Sequence, residues 1–479
     1  MTWHPAYRDW VLAPDYAFAA RFLHETLLDV LVAHARTVAA LPAADGHERE
    51  LAALEAGLQR LRQRDVPDLA ADVPDLYFAL QRALAADVGP APLGWLRLGL
   101  SRNDLDMTIY VLRARSTSLT RLRALLALQR ALLDLADDHL DTLMIAHTHH
   151  QPGQPTTLAH YLAALAANVE RDVMRAQQAL ERLDRCPLGA AALAGSSHPL
   201  DRQAAAERLG FSEPVTSTYD AVAAADWQAD VASVAQSMAL TCSRLLCDLI
   251  AWSGSGVLKL DDDLVQGSSI MPQKRNPVAL EHARTRFSRA LGVAQAVLLP
   301  SHNIPFGDLN DFGPDAQGAL QTLHQLLLGG LELSVACLRG CRFDTALLER
   351  QVAASDTTAT ELADELVRAG CCSFPDAHRH VAALVAHMAD AGRPFSQAGP
   401  ADLSAVGGPE LPADTLQAAV SPRAFVERRS GLGGPAPVAV RVHLRALRER
   451  FGEYHGAVDG MTARIDAARQ QLRGSGKDT

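Results

Sequence analysis

The feature that most constrains this fold is a long stretch, residues 230–252, that is apolar on nearly every side of a helix. A helix of this kind must be covered on most sides, and the centre of a helical bundle provides that cover. Elsewhere apolar residues recur at helical spacing, as at Leu119, Leu122 and Leu126, while strand-like alternation is scarce. We therefore predict a mostly α-helical fold with a central bundle of long helices.

Turn-forming residues divide the chain into three predicted regions. The first boundary follows the turn-rich segment at 89–92, and a stretch around 391–413, rich in Gly, Pro, Ser and Asp, is typical of a surface connection. The predicted regions are an N-terminal helical domain at 1–100, a central long-helix bundle at 101–348 and a C-terminal helical domain at 349–479. The last residues, 474–479, are predicted to fray.

Charge and cysteine usage limit the possible partners. The chain has 45 basic and 55 acidic residues, so its net charge of −10 argues against nucleic acid as the principal partner. The seven cysteines are odd in number and form no CxxC pair, which is typical of reduced thiols in a cytoplasmic protein. We found no signal-peptide pattern and no predominantly apolar run long enough for a membrane span, so no membrane partner is expected.

The segment most indicative of chemistry is GSSIMPQKRNP at 267–277. It lies between two helical patterns and combines small residues, two prolines and cationic side chains, so it is predicted to be a loop. Backbone N–H groups near its Gly-Ser-Ser start, together with Lys274, are able to cradle an anion. The spacing does not match a nucleotide-binding P-loop.

This loop resembles the signature loop of the fumarase/aspartase superfamily, and further segments resemble argininosuccinate lyases. These segments, in the same chain order, are SRND at 101–104, THHQ at 148–151, PLG at 187–189 and VERR at 426–429. The resemblance implies a three-domain, mostly α fold. It also implies a central bundle that pairs into a homotetramer, with each active site built from three chains.

The reaction implied by the resemblance is elimination of fumarate from an N-substituted aspartate, without a metal or an organic cofactor. The family's base corresponds to Ser268, whose serinate requires stabilisation by Lys274 and by loop N–H groups, because a lone serine is not ionised at neutral pH. The family's catalytic histidine corresponds to His149, the first candidate for protonating the departing nitrogen. Glu281 corresponds to the carboxylate that orients this histidine.

The resemblance also implies side chains that hold the substrate. The predicted substrate-binding residues are Ser101, Arg102, Asn103, Thr148, Ser269, Met271, Asn276 and Asn310. Arg102 suits a carboxylate because its guanidinium binds in bidentate fashion. The histidines at 147, 149 and 150 raise the alternative of a metal site, but no cysteine lies near them, so no metal ligands are predicted.

Several positions depart from the argininosuccinate lyase pattern. The replaced positions are Tyr77 and Arg97 for two histidines, Leu100 and Ala225 for two arginines, Pro305 for a tyrosine and Asn310 for a glutamine. Because the elimination residues are kept while part of the binding set is changed, we predict a carbon–nitrogen lyase with a different leaving group. The alternatives are a genuine argininosuccinate lyase of arginine biosynthesis, adenylosuccinate-type or fumarase-type chemistry, and a catalytically silent structural relative.

Overall fold

The fold is built almost entirely from helices joined by short connections. The computed structural model describes residues 3–474, so Met1, Thr2 and residues 475–479, which include most of the predicted frayed end, lie outside the described residues. The first six helices are α1 (Pro5–Tyr7), α2 (Ala13–Phe22), α3 (His24–Val38), α4 (Glu48–Arg62), α5 (Leu76–Val88) and α6 (Pro90–Leu96).

Five long helices form the central bundle, and two short helices lie between them. These seven helices are α7 (Arg102–Asp138), α8 (Leu158–Arg182), α9 (Arg202–Arg208), α10 (Asp220–Ala223), α11 (Asp226–Gly254), α12 (Val278–Leu298) and α13 (Pro314–Arg339). Around the bundle α7 contacts α8, α8 contacts α11, α11 contacts α12, α12 contacts α13, and α13 returns to α7. The 37 residues of α7 span about 55 Å at 1.5 Å per residue.

The bundle interior is filled mainly by Leu, Val and Ala side chains, with single aromatic rings such as Phe287. A Cβ atom at Gly330 of α13 would lie 2.9 Å from that ring. Glycine is therefore required where α12 and α13 approach each other. This close packing confirms the predicted mostly α fold with a central long-helix bundle.

Helix α11 carries the apolar stretch that led to this prediction, and its own chain covers only part of it. Its residues Val231, Met238 and Leu245 are buried, whereas Leu240 is 57% exposed and Cys247 is also exposed. By length and composition alone, α11 is apolar enough to cross a membrane. Its packing between α8 and α12 is that of a core helix, and its exposed face carries Arg244 and Asp248 beside Leu240 and Cys247.

The last seven helices form a small lobe and one long return helix. They are α14 (Thr345–Ala354), α15 (Ala359–Arg368), α16 (Phe374–Asp390), α17 (Pro400–Ala405), α18 (Ala413–Val420), α19 (Pro422–Arg428) and α20 (Pro437–Arg473). Residues between 362 and 420 build a separate small core. Helix α20 instead adds Val440, Leu447 and Leu472 to the large core. The predicted domain boundaries at 100 and 348 stay predictions.

Short strands pair only at the ends of the bundle. They are β1 (Leu143–Thr148), β2 (Gln151–Thr157), β3 (Arg185–Cys186), β4 (Glu213–Pro214), β5 (Leu258–Leu260), β6 (Gln266–Gly267), β7 (Arg275–Asn276) and β8 (Cys341–Phe343). The pairs are β1–β2, β3–β4, β5–β8 and β6–β7, and all except β3–β4 are antiparallel.

A charged network fastens α19 to α15 in the small lobe. The Glu361 carboxylate is 3% exposed and lies 2.9 Å from an Arg428 nitrogen and 2.8 Å from an Arg429 nitrogen. Burial alone would raise the pKa of Glu361, but hydrogen bonds from the two arginines hold that pKa below its ordinary value. Both arginines belong to the VERR segment, so this segment has a structural role in the lobe.

Glu361→Gln is expected to lower the free energy of unfolding by about 1–3 kcal/mol, because a charged acceptor of two hydrogen bonds is lost from a buried position. Urea denaturation followed by circular dichroism measures the change. The matched control is Glu349→Gln, since Glu349 is 58% exposed and lies 3.5 Å from Arg423; about 0–1 kcal/mol is expected there. Equal losses in the two variants would contradict the role of Glu361.

The pH dependence of this contribution has a defined sign. Because the folded-state pKa of Glu361 is lowered, its stabilisation is complete above the ordinary glutamate pKa of about 4.3. It is lost as the pH falls from there through the lowered folded-state pKa. The stability difference between the native chain and Glu361→Gln is therefore expected to shrink on acidification.

Candidate functional site

The SRND segment caps the start of α7. The Ser101 hydroxyl accepts a hydrogen bond from the Asn103 N–H at 3.3 Å, and the Ser101 N–H donates to Asp104 Oδ1 at 2.9 Å. This reciprocal capping box fixes the direction in which the helix begins. The buried Asp104 also accepts from the Gly189 N–H at 2.9 Å. Burial raises the pKa of Asp104 to about 6, although backbone N–H donors oppose this shift.

The guanidinium of Arg102 is already engaged within its own chain. It donates to Asp75 and, at 2.7 Å, to Asp106, and it lies 5.3 Å from the centre of the Tyr77 ring. Burial alone would lower the pKa of Arg102, but Asp106 and Asp75 hold it above its ordinary value. A substrate carboxylate would have to compete with these two acids, so the predicted clamp role of Arg102 stays a prediction.

Asn310 lies in the connection between α12 and α13, at the same end of the bundle as SRND. In this connection the backbone oxygen of Phe306 accepts a hydrogen bond from the Tyr219 hydroxyl at 3.0 Å, and the two rings stack with centroids 5.6 Å apart. Burial raises the pKa of Asp308, and the nearby Arg102 charge opposes that shift. Asn310 itself is exposed. The first group of predicted residues is therefore Ser101, Arg102, Asn103 and Asn310.

The second group of predicted residues lies at the opposite end of α7, beginning with the β1–β2 hairpin. Thr148 pairs with Gln151, so His149 and His150 form a two-residue turn. Both have positive φ, 52° and 62°. Such a turn is of the I′ kind, which favours Asn-Gly, and each non-glycine residue held there costs about 1–2 kcal/mol. Two histidines at these positions mark the turn as a candidate functional feature.

The base of the hairpin is fastened to the C-terminal part of the chain. Leu143 joins Val352, Phe425 and Val426 in a small buried cluster. His160, just after β2, lies 3.0 Å from the Gly433 backbone oxygen through its Nε2 atom. The Thr148 hydroxyl and the His149 ring project into an exposed region. They make no side-chain hydrogen bond within residues 3–474.

The signature loop closes on a minimal two-residue ladder. Gln266 pairs with Asn276, and Gly267 pairs with Arg275. Inside the loop the Ser268 hydroxyl oxygen accepts from the Ile270 N–H at 3.4 Å and from the Met271 N–H at 3.1 Å. Two N–H donors directed at one hydroxyl oxygen stabilise negative charge on it. The predicted role of Ser268 as the base stays a prediction.

Of the two cationic side chains in this loop, Arg275 is anchored to the protein and Lys274 is accessible. Arg275 binds Asp262 and donates to the Leu260 backbone oxygen at 2.8 Å, which anchors the loop. Lys274 is exposed and has no ion-pair partner in the part of the chain that the structure describes. The other predicted residues of this segment are Ser269 and Met271, which are exposed, Asn276, which is half-buried, and Glu281, which is exposed in the first turn of α12.

Ring contacts establish that the hairpin and the signature loop share one end of the bundle. Tyr161, at the start of α8, lies 5.0 Å from Trp252, at the end of α11. His139, at the end of α7, lies 5.3 Å from Phe343 of β8. The second group, at the opposite end of α7 from the first group, comprises Thr148, His149, Ser268, Ser269, Met271, Lys274, Asn276 and Glu281.

A single chain does not assemble all predicted residues at one place. Among residues 3–474, no side-chain hydrogen bond or ion pair joins SRND to the hairpin or to the signature loop, and none joins His149 to Glu281. The His149–Glu281 pairing stays a prediction. If the two groups act together, one of them must come from another copy.

Sequence reasoning missed Asp75 and Asp106 as partners of Arg102. Asp106 follows Arg102 by four residues, and such a pair on a predicted helix is a recognisable signal. Asp75 caps α5 through the Phe78 N–H, but its pairing with Arg102 depends on how α5 packs against α7. The histidine cluster at 147–150 is part of no metal-binding group, since no group of three metal-ligating side chains was found in residues 3–474.

Two family models and several known proteins match most of the chain. The family model described as "Lyase" matches residues 17–292, and the one described as "Argininosuccinate lyase C-terminal" matches residues 356–427. Argininosuccinate lyase 2 of Agrobacterium fabrum is 34% identical over 84% of this chain and 81% of its own length. The argininosuccinate lyase of Methanoculleus marisnigri is 35% identical over 83% of this chain and 81% of its own length.

Solved structures extend the similarity to almost the whole chain. EDDS lyase in complex with formate is 27% identical with a TM-score of 0.84, and a variant of EDDS lyase with bound fumarate is 28% identical with a TM-score of 0.83. Each comparison covers 98% of this chain and 95% of the other. A class II fumarase from Schistosoma mansoni, 16% identical with a TM-score of 0.71 over 84% of this chain and 90% of its own, shares the fold.

His150→Gly is expected to raise the free energy of unfolding by about 1 kcal/mol, because glycine adopts positive φ without steric cost. Chemical denaturation measures this change. The matched control is His147→Gly, a strand position in the same hairpin, where glycine is expected to lower stability by about 0.5–1 kcal/mol. A loss of stability in both variants would contradict the strained turn.

Proposed function

Since the chain belongs to the argininosuccinate lyase-like branch of the fumarase/aspartase superfamily, we propose that it is a carbon–nitrogen lyase that releases fumarate from an N-substituted aspartate other than argininosuccinate. The observation that carries the proposal is the signature loop, in which two backbone N–H groups donate to the Ser268 hydroxyl oxygen. An accessible Lys274 lies in the same loop. This arrangement suits abstraction of a weakly acidic proton beside a carboxylate.

The proposed reaction is an elimination that balances without a co-reactant. Ser268, as the alkoxide, takes the proton from the carbon next to the substrate carboxylate, and the electron pair is delocalised into that carboxylate. The carbon–nitrogen bond then breaks, leaving fumarate, while the departing nitrogen takes a proton from His149. Lys274 and Asn276 stabilise the carboxylate while it carries the additional charge. Thr148, Ser101 and Asn103 hold the dicarboxylate, and Glu281 orients His149.

The proposed site is shared between identical chains in a homotetramer. The first group of residues and the second group lie at opposite ends of α7, so a neighbour running in the opposite direction is required to join them. The uncovered side of α11, with Leu240 exposed, supports such a neighbour. The substrate is a small dicarboxylate, in keeping with the fumarate bound to the EDDS lyase variant. A cytoplasmic location stays a prediction.

A second candidate is argininosuccinate lyase itself, because the two curated relatives described above carry that name. The positions that differ from the family pattern favour the first candidate. Ala225, Pro305 and Asn310 replace residues that resemblance assigns to holding the substrate. A lost polar contact to a buried group costs about 1–3 kcal/mol, so two or three such losses reduce kcat/KM by several orders of magnitude.

Ser268→Ala is expected to lower kcat by at least ~10²–10⁴-fold, the usual contribution of a positioned acid–base group. Fumarate absorbance measures the rate. The matched control is Ser196→Ala, in a second Gly-Ser-Ser segment where the hydroxyl also accepts a backbone N–H, that of His198 at 3.2 Å. The control is expected to keep its activity. Near-normal turnover by Ser268→Ala would remove this serine from the mechanism.

Argininosuccinate is expected to be a poor substrate, with kcat/KM well below ~10⁴ M⁻¹s⁻¹, the lower end of the ordinary range. A panel of amines mixed with fumarate, run in the addition direction, identifies the preferred leaving group. A value in the ordinary range for argininosuccinate would establish the second candidate instead. A chain that folds but processes no adduct would be the catalytically silent relative.

Light scattering is expected to give a mass four times that of the 51.3 kDa chain. The exposed Leu240 on α11 favours contact with a neighbouring chain, and the separated groups require such a neighbour. Leu240→Glu is expected to shift the protein toward smaller species and to lower activity in parallel. An active monomer at micromolar concentration would contradict the shared site.

A further inference from the structure

A cavity of about 400 Å³ lies at the bundle end that carries SRND. Its walls come from α7, the end of α8, the β3–β4 region, α10 and the start of α11. The apolar part of its surface includes Met107, Val111 and Trp227. Its volume falls in the range of small-molecule sites in proteins.

One wall of the cavity contains a buried donor without an acceptor. Trp227 is 7% exposed, and its indole Nε1 atom is buried with no hydrogen-bond partner among residues 3–474. Buried indole N–H groups normally have a partner. An occupant with an acceptor atom would satisfy this one.

The cavity is lined by an excess of acidic side chains. Arg182 is paired with Asp230, and Arg185 is paired at 3.0 Å with Glu213, which does not line the cavity. Asp220 and Asp226 line the cavity and have no ion-pair partner in the described chain. Such a lining favours the binding of a cationic group over the binding of a carboxylate group.

The cavity adjoins the first group of predicted substrate residues. Met107 and Val111 follow Asn103 by four and eight residues along α7, so all three lie along one face of the helix. On the other side, Tyr219 precedes the lining residue Asp220 and stacks on Phe306, in the connection that carries Asn310.

Small residues keep the cavity open. Ala224 forms part of its wall, and Ala225 follows where the argininosuccinate lyase pattern has an arginine. An arginine at this position would add both volume and positive charge. With Ala224 in its wall, the space remains available and its acidic lining is kept.

We propose that this cavity receives the nitrogen substituent of the substrate and that this substituent is a second amine on a short apolar stem. This assignment rests on the proposed function, since it places the leaving group beside the residues proposed to hold the dicarboxylate. The acidic side chains Asp220 and Asp226 bind the cationic end. Met107 and Val111 contact the stem, and an oxygen acceptor in the aspartate half of the substrate meets the Trp227 N–H, because the cationic amine has no lone pair to accept.

Calorimetric binding of 1,4-diaminobutane, with butylamine as the singly charged comparison, tests the cavity without requiring turnover. The diamine is expected to bind more tightly than butylamine to the intact protein and to the Ser268→Ala variant. Asp226→Asn is expected to weaken diamine binding about tenfold, one lost charge interaction of about 1.4 kcal/mol, and to narrow the difference in affinity between the two amines. Ala224→Leu is expected to weaken the binding of both amines, because the larger side chain fills the cavity.

The matched control is Trp252→Phe, at the opposite end of α11, against Trp227→Phe in the cavity. Only the latter is expected to raise the KM for the diamine in the addition reaction with fumarate, because the amines alone carry no acceptor for the indole N–H. Diamine binding that is insensitive to both Ala224→Leu and Asp226→Asn would overturn the cavity assignment. A different outcome is that the cavity still binds the diamine but no adduct releases fumarate. This result would overturn the proposed function, and with it the assignment of the cavity as the leaving-group site.

Discussion

Burial of apolar side chains between five long helices is the interaction on which the rest of the molecule depends. Leu, Val and Ala residues fill this interior, and Gly330 lets α13 approach the Phe287 ring. Helices long enough to build such an interior have ends that lie far apart. The distinctive polar segments occur in the connections at those ends.

Each of these end segments is held by a different local structural feature. A capping box fixes SRND, a tight turn holds His149, and a two-residue ladder with an Arg275 anchor closes the signature loop. These contacts fix the backbone and leave several side chains, such as those of Thr148 and Lys274, without partners among residues 3–474. The C-terminal lobe contributes indirectly, since its Glu361 network supports the helices on which the hairpin rests.

The sequence was sufficient for the parts of the fold that depend on local pattern. The apolar stretch at 230–252 predicted the bundle, and the motif at 267–277 predicted a loop. Pairings between distant segments were not predictable in this way. The link of Arg102 to Asp75 depends on how two helices pack, and the β1–β2 hairpin lacks the Asn-Gly signature that usually reveals such a turn. Which face of α11 is exposed was also not predictable, because periodicity reports apolarity but not which neighbour covers it.

The distance between the two ends of α7 has a genetic consequence under the proposed assembly. If each site takes SRND from one chain and the signature loop from another, damage to either segment is not confined to the chain that carries it. Two alleles, one defective near Asn103 and the other near Ser268, would then yield mixed assemblies in which some sites contain only intact segments. Such a pair would complement each other, although neither allele alone supports growth. Two alleles defective in the same segment would not.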